Sequence, residues 1–78
     1  MTNYDKYVEV FKSTFEIESD PADLEYQGID NWDSVGHMAL IAALEDAFDI
    51  MMETDDIIDF NSFKKGMEIL STKYDVQF

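Results

Sequence analysis

The segment NWDSVGHMALIAALEDAFDI, residues 31–50, predicts the best-formed helix of this 78-residue chain. The helix is predicted to run from Ser34 to about Ile50. Its apolar residues recur at helical spacing and form a core-facing stripe: Leu40, Ala43, Leu44, Ala47, Phe48 and Met51. A second apolar strip lies off this stripe, formed by Val35, Met38, Ala39 and Ala42. Another helix or a partner must cover that strip. Asp33 and Ser34 open the helix, and capping of its first free backbone N–H groups is their ordinary explanation.

Before this segment, the sequence predicts one helix and a long loop. The helix covers residues 4–15, and Thr2 and Asp5 form a capping box ahead of it. Its inward face is predicted to contain Tyr4, Tyr7, Val8, Phe11 and Phe15. Residues 16–33 have no sustained apolar period, and Pro21 could start a single helical turn there. We expect a loop pinned to the core by Ile17, Leu24 and Ile29. Loops of this length in compact domains are often functional.

After it, the sequence predicts a short helix and a final long one. Residues 54–60 form the short helix, with Thr54 as its cap and acidic residues in its first turn. Asn61 or Ser62 caps the last helix, which faces inward with Phe63, Met67, Leu70 and Tyr74. No strand pattern is present. We therefore predict a single all-α domain over residues 1–78, a small bundle of three main helices plus one short helix.

Charge and composition restrict the class of function. The formal net charge is −13, and residues 13–63 hold 14 carboxylates and no lysine. Such a surface repels nucleic acids and anionic lipids and attracts partners that present Arg and Lys, although solubility alone would also explain it. The chain has no cysteine, and no apolar run approaches the ~18 residues of a membrane span. We expect a cytoplasmic monomer without membrane insertion.

The tripeptide Asp33-Ser34-Val35 begins the second long helix of the predicted order, in which a helix and a long loop come first and a short acidic helix and a final helix follow. This arrangement resembles the acyl and peptidyl carrier proteins, whose signature is Asp-Ser-Leu or a close variant at the start of the second helix. The resemblance extends over nearly the whole chain. It includes the family's core spacings at Leu40, Leu44 and Phe48, and its acidic pair at Glu45 and Asp46.

The resemblance implies that Ser34 carries a 4'-phosphopantetheine arm donated by coenzyme A. A phosphopantetheinyl transferase would attach the arm, and the chain would be a non-catalytic carrier of acyl groups held as thioesters. Asp33 would then do most of the capping. The phosphodiester would lie at a helix N-terminus, where backbone N–H groups and the helix dipole favour an anion. Partner enzymes would belong to a fatty-acid, polyketide or related pathway and would present basic docking patches.

The resemblance also implies a partner-binding surface around Ser34. It comprises Asp33, Val35, Met38, Ala42, Glu45, Asp46, Asp55, Asp56 and Ile57. Ile57 either covers the tethered chain or fills the gap between helices. Gly36 and Ala39 stand where many fatty-acid carriers have acids, so partner choice is expected to differ. His37 is predicted to be a surface residue of the first helical turn.

Several alternatives remain open from the sequence. Peptidyl and D-alanyl carriers share the bundle and the serine, and only the acidic balance favours an acyl carrier. An unmodified acidic helical adaptor is a further alternative. A hydrolase using Asp33, Ser34 and His37 lacks the Gly-x-Ser-x-Gly turn and an evident oxyanion site. The acidic residues contain no EF-hand loop pattern, and we predict no metal site.

Overall fold

The computed structural model describes residues 1–78 and contains four helices. They are α1 (Asn3–Phe15), α2 (Ser34–Phe48), α3 (Thr54–Asp59) and α4 (Phe63–Lys73). The predicted all-α bundle of three main helices and one short helix is confirmed, as is the long connection between α1 and α2. There is no sheet. A single antiparallel bridge between Glu25 and Ser62 ties that connection to the start of α4.

The helix starts follow local capping rules in three of the four helices. Side-chain caps begin three helices, with Thr2 for α1, Asp33 for α2 and Ser62 for α4. Asp33 Oδ1 accepts a hydrogen bond of 2.8 Å from the backbone N–H of Gly36. The prediction of a Thr54 cap for α3 is wrong, because Thr54 is the first helical residue. Glu53 precedes it without a side-chain cap bond.

Helix α2 ends earlier than the apolar pattern predicts. Asp49 takes a left-handed conformation with φ 54° and ends the helix after Phe48 rather than near Ile50. The chain then changes direction, so Met51 is 86% exposed and does not belong to the core. Met52 is buried instead, and its backbone N–H donates a 2.9 Å hydrogen bond to Glu45 Oε2. The buried residues of α2 are Leu40, Ile41 and Leu44.

An aromatic cluster forms the centre of the core. Phe11 makes ring contacts with centroid separations of 4.9 to 6.3 Å, and its partners are Tyr7, Phe15, Trp32, Phe60 and Phe63. Trp32 comes from the loop and is fully buried. The Tyr7 hydroxyl donates a 2.7 Å hydrogen bond to the Phe63 carbonyl, which joins α1 to α4. Tyr4 lies at the edge of this cluster, 38% exposed, rather than on the inward face.

The loop between α1 and α2 is held by packing and by hydrogen bonds. Ile17, Leu24 and Ile29 are half-buried against the core, as predicted. The Leu24 N–H donates to the Pro21 carbonyl at 3.0 Å, which makes a single turn. Asn31 Nδ2 donates to the Phe15 carbonyl at 2.8 Å, at the end of α1. The loop is therefore a packed element that presents Trp32 and Asp33 to α2.

Two glycines permit close packing in helices. A Cβ built on Gly36 would lie 1.9 Å from the Asn31 carbonyl oxygen, so the loop backbone rests directly on the first turn of α2. A Cβ on Gly66 would lie 2.2 Å from the Phe60 ring and from the Tyr7 hydroxyl. Steric contact with the loop therefore accounts for Gly36, where the carrier resemblance pointed only to a different choice of partner.

Candidate functional site

Ser34 is the first residue of α2 and lies on the protein surface. Its Oγ has one hydrogen-bond partner in the protein, the hydroxyl of Tyr26, at 3.1 Å. Asp33 directs its carboxylate to the Gly36 N–H, so Asp33 is the cap and the Ser34 side chain is not needed for that purpose. The expected division of roles between Asp33 as cap and Ser34 as an accessible hydroxyl is compatible with this geometry.

A groove opens beside Ser34 between α2, α3 and the loop. Its volume is about 380 Å³, and it is lined by Tyr26, Ser34, His37, Met38, Ile57, Ile58, Phe60 and Asn61. Apolar side chains predominate in this lining, and Ser34 stands at its rim. The serine hydroxyl therefore lies next to an open apolar groove. Ile57 is half-buried in the wall of the groove, so it fills only part of the gap between the helices.

His37 lines this groove and is half-buried in a hydrogen-bond chain, so it is not the exposed surface residue that was predicted. Trp32 Nε1 donates to His37 Nδ1 at 2.9 Å, and His37 Nε2 lies 2.8 Å from the Ile57 carbonyl oxygen. Since an indole N–H can only donate, Nδ1 must be the acceptor, and the ring proton is on Nε2. The neutral ring therefore links the loop, α2 and α3. Neither ring nitrogen contacts Ser34 Oγ, so this geometry gives no support to a serine hydrolase arrangement.

The predicted partner surface is accessible around Ser34. Val35 is 79% exposed and Met38 is 54% exposed. The other exposed members of the predicted set are Asp33, Ala42, Asp46 and Asp55. Ile58, which the prediction did not include, is 70% exposed and lies across the groove from Met38. Exposed apolar side chains and carboxylates of α2 and α3 therefore lie around the Ser34 hydroxyl.

Asp56 does not belong to that exposed surface, and this part of the prediction is corrected. Its side chain is buried, with Lys73 Nζ at 2.7 Å from Oδ1 and the Tyr74 hydroxyl at 2.6 Å from Oδ2. Tyr74 also accepts a 2.8 Å hydrogen bond from the Glu53 N–H. The hydrogen bonds from Lys73 and Tyr74 lower the pKa of Asp56, and the bond to Asp56 raises the pKa of Lys73. These contacts fasten α3 to the end of α4.

Glu45 also has a structural contact that the sequence does not reveal. It is half-buried, and its carboxylate accepts the Met52 N–H just after α2 ends. This bond holds the connection to α3. Asp46, its neighbour, remains exposed. Of the predicted acidic pair, Asp46 is therefore the member whose carboxylate is available to a partner.

Most of the acidic stretch has no compensating lysine. Among the 14 carboxylates of residues 13–63, only Asp23 and Asp56 form ion pairs, with Lys64 and Lys73. The Asp23 pair is 3.5 Å long and highly exposed, so it contributes little stability. The negative potential of this stretch is therefore largely uncompensated by salt bridges within the protein.

Comparisons of the chain with protein families, with curated proteins and with solved structures found no match. None of the helices combines the length and apolar character that crossing a membrane requires. No three His, Asp or Glu side chains converge in a way that could hold a metal ion.

Sequence reasoning missed two members of the site. Tyr26 comes from the middle of the loop, and Trp32 packs beneath the site rather than at the surface. The available signal was the presence of two large aromatic residues in a stretch otherwise dominated by polar residues. Large aromatic side chains seldom remain in solvent when they can pack against a hydrophobic core.

Proposed function

We propose that this chain is an acyl carrier protein modified on Ser34 with 4'-phosphopantetheine. The observation that carries the proposal is an accessible serine hydroxyl at the start of α2, at the rim of an apolar groove and released from capping by Asp33. The order and lengths of the helices agree with the carrier resemblance. The proposed carrier would present acyl groups to enzymes of a fatty-acid, polyketide or related pathway.

The residues around Ser34 fit the proposed group. A phosphodiester needs a reachable hydroxyl and hydrogen-bond donors for its charge. The Ser34 and Val35 N–H groups belong to the first turn of α2 and make no hydrogen bond within the protein. Helix N-termini of this kind favour anions. When bound, the group supplies a terminal thiol that holds an acyl chain as a thioester.

The chemistry of attachment requires little from the chain itself. Ser34 Oγ loses its proton to a base of the transferase and forms a bond to the β-phosphorus of coenzyme A, while the phosphoanhydride bond breaks and adenosine 3',5'-bisphosphate leaves. The chain provides the nucleophile and the docking surface. Exposed Val35 and Met38 offer apolar contacts, and Asp46 and Asp55 offer charges to a basic enzyme.

Intact mass measurement tests this proposal. The purified chain is incubated with coenzyme A and a broad-specificity phosphopantetheinyl transferase, beside Ser34→Ala and the control Ser19→Ala, which changes an exposed serine in the loop. Wild type and Ser19→Ala should gain the mass of one phosphopantetheine group, and Ser34→Ala should gain none. An unchanged wild-type mass, or an equal gain on Ser34→Ala, would contradict the proposal.

The same modification reaction distinguishes an acyl carrier from two alternatives. An unmodified acidic adaptor would take no group yet would still bind basic partners through its uncompensated carboxylates and exposed apolar strip. A peptidyl or D-alanyl carrier would be modified on Ser34 but would be loaded by an amino-acid-activating enzyme. An acyl carrier would instead be loaded by enzymes that transfer fatty or polyketide acyl groups, and the mass of the loaded species distinguishes the two.

A further inference from the structure

We propose that Tyr26 is a positioning residue whose hydroxyl holds the Ser34 phosphodiester in the modified protein. This inference rests on the proposed function, because it concerns the state in which Ser34 carries its arm. It goes beyond the carrier resemblance, which assigned no role to Tyr26. The contact that suggests it is the 3.1 Å separation of the Tyr26 hydroxyl and Ser34 Oγ.

Three contacts hold Tyr26 in place independently of Ser34. Its backbone N–H donates to the Asn61 carbonyl at 2.8 Å, which anchors the loop to the segment between α3 and α4. Its ring packs edge-on against Trp32 and His37, with centroid separations of 6.4 and 5.4 Å. The ring is half-buried while the hydroxyl reaches the surface. The hydroxyl is therefore pre-positioned before any group is attached.

Modification changes what this hydroxyl can do. In the unmodified chain either hydroxyl can be the donor. Once Ser34 Oγ is esterified it has no proton, and the phosphodiester contributes only acceptor oxygens. Tyr26 then becomes the sole possible donor of the pair. Its acceptor is also charged, and hydrogen bonds with a charged partner are about twice as strong as neutral ones.

This bond would also orient the arm. Tyr26 forms one wall of the groove that begins at Ser34, and Ile57 and Ile58 form another part of it. Because the phosphodiester joins Ser34 to the arm, a donor on the Tyr26 side of Ser34 would restrict the directions in which the arm can leave.

A comparison of Tyr26→Phe in the modified and unmodified states tests the inference. The variant keeps the ring contacts and removes only the hydroxyl. We expect its loss of melting temperature to be about twice as large in the modified chain as in the unmodified chain. The ³¹P resonance of the modified variant should also shift relative to modified wild type. Tyr4→Phe is the matched control, since the Tyr4 hydroxyl has no hydrogen bond in the protein, and it should leave the ³¹P resonance unchanged.

A second measurement needs no variant. In modified wild type, nuclear Overhauser effects are expected between the Tyr26 ring protons and the arm protons nearest the phosphate. Equal melting-temperature losses in both states, with an unchanged ³¹P resonance, would assign Tyr26 a structural role only and overturn the inference. A wild-type chain that gains no mass would instead overturn the proposed function, and with it this inference.

Discussion

Trp32 donates a 2.9 Å hydrogen bond from Nε1 to Nδ1 of His37, and this bond joins the buried end of the loop to the first turn of α2. The two rings are nearly parallel, at 15° and a centroid separation of 6.2 Å. Because Nδ1 accepts, Nε2 carries the proton and donates to the Ile57 carbonyl in α3. One neutral side chain thus holds three elements together at the groove that begins at Ser34.

His37→Phe should destabilise the protein and loosen α3. Phenylalanine retains an aromatic ring beside Trp32 but leaves the indole N–H without its acceptor and the Ile57 carbonyl without its donor. An unsatisfied polar group in a largely buried position costs about 1 to 3 kcal/mol. Because two such groups arise, urea denaturation should show a loss of at least that size, and hydrogen exchange should become faster in α3.

A double-mutant cycle checks the cause of that loss. Trp32→Phe removes the donor, so His37→Phe should cost less in a Trp32→Phe background than in wild type. The difference between these two losses measures the free energy of the Trp32–His37 interaction, separately from the cavity that each substitution creates. Strictly additive losses would mean that the two rings do not interact, contrary to the geometry.

Gly36→Ala should lower stability although it improves helix propensity. Alanine is favoured over glycine inside helices by about 1 kcal/mol. The added methyl group, however, would lie 1.9 Å from the Asn31 carbonyl oxygen, which is backbone and cannot rotate away. Overpacking of this kind costs about 1 to 3 kcal/mol. We expect a net loss in the free energy of unfolding measured by urea denaturation.

The matched control for Gly36→Ala is Ala42→Gly, an exposed change in the same helix. It should cost only the ordinary propensity difference of about 0.5 to 1 kcal/mol. If Gly36→Ala stabilised the protein, the loop would not rest against α2 as described.

The Asp56–Lys73 pair should make stability depend on pH in the acid range. The pKa of Asp56 is lowered from its ordinary 3.8, chiefly by the hydrogen bond from Lys73. The folded state therefore binds this proton more weakly than the unfolded state. The stabilisation is fully present above pH 3.8 and is lost as the pH falls through the lowered pKa. Melting temperature measured from pH 7 to pH 2 should decline more steeply in wild type than in Asp56→Asn.

Asp55→Asn is the control for this pH dependence. Asp55 is the exposed neighbour on the same helix and forms no ion pair, so its removal should leave the steepness of the decline near that of wild type. Identical profiles for wild type and Asp56→Asn would show that another carboxylate governs acid unfolding.

Added salt should raise the melting temperature at neutral pH. The carboxylates of residues 13–63 repel one another, and only two of them have a lysine partner. The screening length falls from about 30 Å at 0.01 M to about 10 Å at 0.1 M ionic strength. A relief of about 1 kcal/mol would raise the melting temperature of a domain this size by about 4 to 8 °C. Calorimetry over that range of NaCl tests this, and a constant melting temperature would mean that the repulsion is unimportant.

The sequence predicted the helices well because each depends on neighbours within a few residues. The Thr2 and Asp5 capping box, the Asp33 cap and the Ser62 cap all act across three positions. The errors arose where the chain turns. Asp49 enters a left-handed conformation, and this turn exposes Met51 and buries Met52 against the helical period.

The part of the candidate site that the sequence predicted correctly also depends on local position along the chain. Ser34 and the exposed Val35 and Met38 follow from position on one helix. Asp56 was assigned to the exposed surface because an acidic residue normally remains in water, and only Lys73 and Tyr74, 17 and 18 positions away, allow its burial. Local patterns contain no information about such partners.

By itself, the sequence determined the helical class, the order of the elements, the caps of the three long helices and the accessible serine at the start of the second long helix, since these follow from periodicity and short-range hydrogen bonding. The tertiary structure alone decided that Trp32 is buried, that His37 joins α2 to α3, and that Tyr26 meets Ser34. Those contacts arise because the helices and the loop share one core. Their partners are therefore set by packing in three dimensions rather than by distance along the chain.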